Sequence, residues 1–167
     1  VNRAGALIHA AILGARPEVN YSAHTHSRAG AAVSSMSCGL LPLSQHAGLI
    51  LPTVCIHPYQ DVTTAADECE ALARDIGENF AMIMENHGLL TCGRSIGECF
   101  YYLYYLETAC KIQVDVLSSG QKPLLLSDEI VKGLFADGGV PKNEPSGAQD
   151  WYPQLRWLDN NLPGFRD

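Results

Sequence analysis

Apolar and polar positions follow two periods along this chain, and the changes between them mark its elements. Ala4 to Ala15 is almost entirely small and apolar, and Arg16-Pro17 ends it. Its length and alanine content predict a buried helix over 4–15. The apolar run from Val19 to Ala23 ends in Ser22-Ala23-His24-Thr25-His26-Ser27, which predicts a strand over 19–26. Small side chains dominate residues 28–37 and predict a helix packed closely on a sheet. Its N-terminus would place N–H groups and positive potential just past the histidines. Gly39-Leu40-Leu41-Pro42 reads as a turn, residues 44–49 as a short helix with His46, and 53–57 as a strand that Pro58 stops. His57 and Tyr59 close that strand, either near a pocket or on an ordinary surface loop.

The second half is more strongly patterned. Residues 64–77 predict a helix, with Thr64 and Asp67 in capping-box spacing and Leu72 and Ile76 on its buried stripe. Residues 80–84 predict a short buried strand. Glu85-Asn86-His87-Gly88 interrupts it, and extended structure resumes over 89–92. Ser95 and Glu98 form a second capping box, which opens the longest helix, 96–117, about 33 Å long. The aromatic block from Phe100 to Leu106 covers its whole circumference, so more than one side is buried. One side faces the sheet; the other meets the core or a second subunit. A helix over 124–135 capped by Ser127, a linker over 136–150 and a helix over 151–162 with Asp150 as N-cap complete the chain. This divides it into a domain over 1–120 and a C-terminal helical extension over 121–167. The extension docks on this domain or on a neighbouring copy. The chain begins at Val1 inside an apolar pattern, which reads as an N-terminally incomplete domain.

Composition narrows the possible partners. The 167 residues suit one core, and 47% are hydrophobic. Net charge is -7 with no basic cluster, which argues against nucleic acid or an anionic membrane surface. No apolar run reaches the ~18 residues of a membrane span. None of the six cysteines forms a Cys-x-x-Cys pair; they read as free, buried thiols of a cytoplasmic protein.

The candidate chemistry lies in the histidines. On a strand, residues i and i+2 share a face roughly 6.5–7 Å apart, so His24 and His26 can reach one ion. Zinc and other first-row metals accept neutral imidazole at about 2.0–2.1 Å. His87 is the best third ligand, and His9 reads as structural. Three neutral imidazoles leave the metal its full charge and an open fourth position. That suits polarisation of a carbonyl and stabilisation of the enolate formed when an adjacent bond breaks. Glu85 lies two residues before His87 and on a strand would share its face, as a fourth ligand, a base, or an exposed or supporting residue.

Several stretches resemble the class II aldolase/adducin head family: Ala15-Arg16-Pro17-Glu18-Val19, His24-Thr25-His26-Ser27, Ala31-Ala32-Val33-Ser34, Gly39-Leu40-Leu41-Pro42 and Asn86-His87-Gly88-Leu89-Leu90, with Gly93 and Glu98 following. Trp151 to Asp159 is similar to bacterial adducin-like members. The resemblance implies an α/β fold, a three-layer α/β/α sandwich with a mostly antiparallel sheet. It implies a homo-oligomer, a tetramer in the family's enzymes, and a divalent metal, commonly zinc, on His24, His26 and His87. The implied function is cleavage or epimerisation of a small sugar or sugar-phosphate carbonyl compound. The alternative is an inactive adducin-like structural, actin-binding-like module. The family's enzymes carry a catalytic carboxylate on the preceding helix, where this chain has Ala4-Gly5-Ala6. Glu85 is the substitute available as the catalytic residue.

Overall fold

Two apolar faces on one short sheet organise the structure, a computed structural model that describes residues 3–59, 65–137, 146–162 and 164–166. The elements run α1 (Arg3–Ala15), β1 (Tyr21–Thr25), α2 (Arg28–Ser34), α3 (Gln45–Gly48), a 3-10 turn (Leu51–Thr53), β2 (Val54–His57), α4 (Ala65–Ile76), β3 (Ala81–Met84), β4 (Gly88–Gly93), α5 (Ile96–Ser118), α6 (Asp128–Asp137) and α7 (Ala148–Asn161). The strand order is β1-β4-β3-β2. β1 and β3 both pair antiparallel with β4, whereas β2 pairs parallel with β3. The sheet is therefore mixed, with antiparallel pairs in the majority. Helix α4 explains the parallel pair, since it carries the chain back before β3 begins.

The central strands are buried along their whole length, as their unbroken apolar runs require. Their side chains alternate between two cores. Met82, Met84, Leu90 and Cys92 join Ile8, Ile12, Leu72 and Ile76 of α1 and α4. Ala81, Ile83 and Leu89 join Val33 of α2 and Tyr101, Tyr102, Leu106 and Cys110 of α5. Helices thus cover both faces, giving the three layers expected. Gln113, fully buried on α5, ties down the 39–41 turn: its amide donates to the Gly39 carbonyl at 2.8 Å and its carbonyl accepts from the Leu41 N–H at 2.7 Å.

Several boundaries differ from the sequence reading. α2 ends at Ser34, where the Ser34 and Ser35 hydroxyls donate to the Ala31 carbonyl and compete with helical bonding. The Ser95 hydroxyl caps Glu98 as expected, but the Glu98 carboxylate accepts from the N–H of Arg94, one residue before the cap, and from its guanidinium. Ser127 caps α6, which starts at Asp128; residues 124–126 lie outside the helix, and the Leu126 N–H donates to the Pro42 carbonyl. Thr64 and most of the 136–150 linker lie outside the described residues.

Asp150 is not the N-cap of α7. That place belongs to Gly147, at φ 76°, and Asp150 sits in the first turn. A Cβ at Gly147 would lie 2.5 Å from Tyr101 Cβ and 2.6 Å from the Gly97 carbonyl. The missing side chain lets the start of α7 sit on α5, with Trp151 against Phe100 at 5.6 Å between ring centres. Gly147→Ala should therefore loosen α7, costing roughly 1–2 kcal/mol for the left-handed backbone alone. Limited proteolysis should show faster cleavage within 148–161; an unchanged pattern would count against this account of the docking.

Candidate metal centre

The two strands that meet at β1 and β4 bring the histidines together. Thr25 pairs with Leu89 and His24 with Leu90, so the end of β1 lies beside the start of β4. Gly88 makes this possible: a Cβ there would fall 2.3 Å from the Thr25 carbonyl oxygen and 3.3 Å from the His26 ring. Met84 pairs with Gly88, leaving Glu85, Asn86 and His87 as a three-residue turn. Asn86 takes φ 54°, a left-handed conformation that asparagine tolerates better than most residues. Its N–H donates to the Ser34 carbonyl at 2.9 Å, and the Glu85 N–H donates to the His57 carbonyl at 2.8 Å.

The result is a cluster of three imidazoles, with ring centres 4.7 Å apart for His24–His26, 4.9 Å for His24–His87 and 4.6 Å for His26–His87. One nitrogen from each lies within 4.8 Å of the others, and no Cys, Asp or Glu joins the group among the described residues. The tautomer of His24 is fixed by its neighbour. Its Nδ1 is 2.8 Å from the Leu89 carbonyl, so Nδ1 carries the proton and Nε2 of the neutral ring presents a lone pair. A backbone carbonyl behind a ligand imidazole is the usual support of a metal site. His24 Nε2 faces His26 Nε2 at 2.8 Å. Tetrahedral ligands at ~2.0–2.1 Å stand about 3.3 Å apart, so a small opening of this contact admits an ion. The donor set and the oriented lone pair fit a divalent first-row metal.

The chain leaving His26 is clamped. Ser27 caps α2 by accepting from the Gly30 N–H at 3.0 Å, and its hydroxyl donates to the Glu107 carboxylate on α5. Neither Glu107 nor the Leu89 carbonyl announces itself in sequence, because their partners are 80 and 65 residues away. His9 lies on α1 with Nδ1 2.7 Å from the Ser22 hydroxyl. One turn earlier, a Cβ at Gly5 would meet nothing within 4 Å. Glu85 is exposed, and the strand alternation that would align it with His87 does not apply, because both belong to the turn.

Burial holds the His24 ring below the usual imidazole pKa, with the Leu89 hydrogen bond opposing and the charges of His87 and His26 adding to the effect. Burial also lowers His87, followed by the charge of His26, while Glu68 acts upward. Both shifts keep the rings neutral, the state a metal requires. The unfolded chain then binds more protons than the folded one between the lowered values and the ordinary value of about 6.5. Metal-free protein should lose stability as pH falls below about 6.5, and His24→Asn should flatten that slope in urea unfolding. Equal slopes would contradict the assignment. Gly88→Ala, which must push β1 away from β4, should cost roughly 1–3 kcal/mol by the same measurement and weaken metal uptake in a titration.

The family profile described as Class II Aldolase and Adducin N-terminal domain matches residues 1–114. A protein of Caulobacter vibrioides named for the class 2 aldolases is 36% identical over all of this chain, which spans 65% of that protein's length. Alpha-adducin of Rattus norvegicus is 38% identical over 96% of the chain, which covers 23% of it. The solved structure of an L-fuculose 1-phosphate aldolase from Glaciozyma antarctica PI12 superposes with a TM-score of 0.78 at 27% identity, covering 96% of this chain and 61% of that one.

Proposed function

The chain belongs to the class II aldolase and adducin N-terminal domain family, and from that premise we propose that it is a metal-dependent aldolase-like protein. Its substrate is a small sugar or sugar-phosphate carbonyl compound, and its metal is a divalent ion, zinc first, on His24, His26 and His87. The observation that carries the reading is the His24 ring, whose Nδ1–H is spent on the Leu89 carbonyl so that Nε2 faces the cluster. When bound, such a metal supplies Lewis acidity toward a carbonyl or hydroxyl oxygen.

The chain's own residues do the rest. Leu89 orients His24, the Ser27–Glu107 clamp fixes the exit from His26, and the 85–87 turn presents His87. Glu85, on that same turn, is proposed as the residue that moves a proton. The reading also includes a homo-oligomer in the cytoplasm. Among the described residues no helix is long and apolar enough to cross a membrane.

One observation favours a second reading. The helix that precedes the His pair carries no carboxylate, and a Cβ at Gly5 would meet nothing within 4 Å. A general acid or base contributes 10²–10⁴-fold, on the order of a whole catalytic step, so its absence suits an adducin-like structural module that keeps the fold.

Metal analysis of the purified protein separates the two. The first reading expects one divalent ion per chain, its loss in His26→Ala, and retro-aldol cleavage within a panel of phosphorylated and free sugars. A wild type without stoichiometric metal contradicts it. Glu85→Gln should keep the metal and slow turnover by roughly 10²–10⁴-fold; unchanged turnover removes Glu85 from the mechanism.

A further inference from the structure

His57 and Asp75 form a mostly buried polar pair between β2 and α4. His57 is the last residue of β2, an edge strand of four residues, and faces α4 beside Met84. Its Nδ1 donates to the Asp75 carboxylate at 2.8 Å, and the two side chains are 7% and 16% exposed. Each half of the pair is unfavourable by itself. Asp75 stands in the last turn of α4, where the helix dipole disfavours a carboxylate. A buried imidazole without a partner costs its desolvation. Arg74, also in that last turn, holds the second carboxylate oxygen at 3.1 Å.

The pair fixes the end of a strand that would otherwise fray. That end is where the His57 carbonyl receives the Glu85 N–H, two residues before His87. We infer that the His57–Asp75 pair is a positioning device for His87, holding the turn that presents the third imidazole. This inference rests on the reading of the trio as a metal centre. It adds two residues, from β2 and α4, to the supports of the site.

The test uses the full chain, with zinc and cobalt(II) as probes and amide exchange on the metal-free protein. His57→Ala and Asp75→Ala should weaken zinc affinity about 10–100-fold and alter the cobalt(II) absorption spectrum. His57→Asn, whose amide can still donate to Asp75, should restore most of the affinity. Glu98→Gln, on α5 beside the far end of β4, controls for stability and should leave affinity and spectrum unchanged. A His57→Ala protein with wild-type affinity and spectrum overturns the inference. If the wild type takes up no metal, the functional reading fails and amide exchange decides this one. Selective loss of protection at Glu85 and Asn86 in His57→Ala, absent in Glu98→Gln, supports it; wild-type protection there overturns it.

Discussion

Contact between the Gly88 α-carbon and the Thr25 carbonyl sets how closely β1 and β4 meet, and the candidate site depends on it. There is no room for a side chain at that point. With the strands in contact, a residue near the end of one, a residue just past it and a residue in the turn before the other converge, one nitrogen from each within 4.8 Å of the others. The same closeness lets the Leu89 carbonyl reach His24 and fix its tautomer. Geometry and chemistry at the cluster therefore share one cause. The backbone that brings the cluster together also decides which His24 nitrogen faces it.

Around this contact the two apolar layers act as supports with different duties. The α2/α5 layer holds the exit from β1 through Ser27 and Glu107 and the turn through the Ser34 carbonyl. The α1/α4 layer carries two polar pairs, His9 with Ser22 and His57 with Asp75. At the opposite end of β4, Arg94 and the fully buried Glu98 close the sheet, and the Arg16 and Arg94 guanidinium carbons lie 4.9 and 5.5 Å from the centre of the Phe80 ring. That end is held by ion pairing and stacking. The histidine end is held by backbone hydrogen bonds to the 85–87 turn together with the Ser27–Glu107 and His57–Asp75 side-chain pairs.

Much of this was legible in the chain because it is local. His-x-His at the end of an apolar run and Asn-His-Gly between two more gave the three imidazoles. Strong periodicity gave α4 and α5, and Ser95 and Ser127 marked two helix starts. What could not be read involves partners far apart in sequence. Glu107, the Leu89 carbonyl and Asp75 become functional candidates only once the sheet is assembled. Local rules also misled where tertiary contacts override them. Asp150 has the chemistry of an N-cap, yet Gly147 takes the place because only a residue without a side chain fits against Tyr101. Glu85 and His87 have strand spacing, yet Asn86 at φ 54° turns the chain between them.

The central claim is that His24, His26 and His87 hold one metal ion through ring nitrogens, with Nε2 the contributing atom of His24. X-ray absorption at the metal edge of zinc-loaded protein tests it directly. The account predicts three imidazole nitrogens at about 2.0–2.1 Å with one further light ligand, and loss of imidazole scattering when His24 is replaced by alanine. A shell of oxygen ligands without imidazole, or a spectrum unchanged by that replacement, would contradict it.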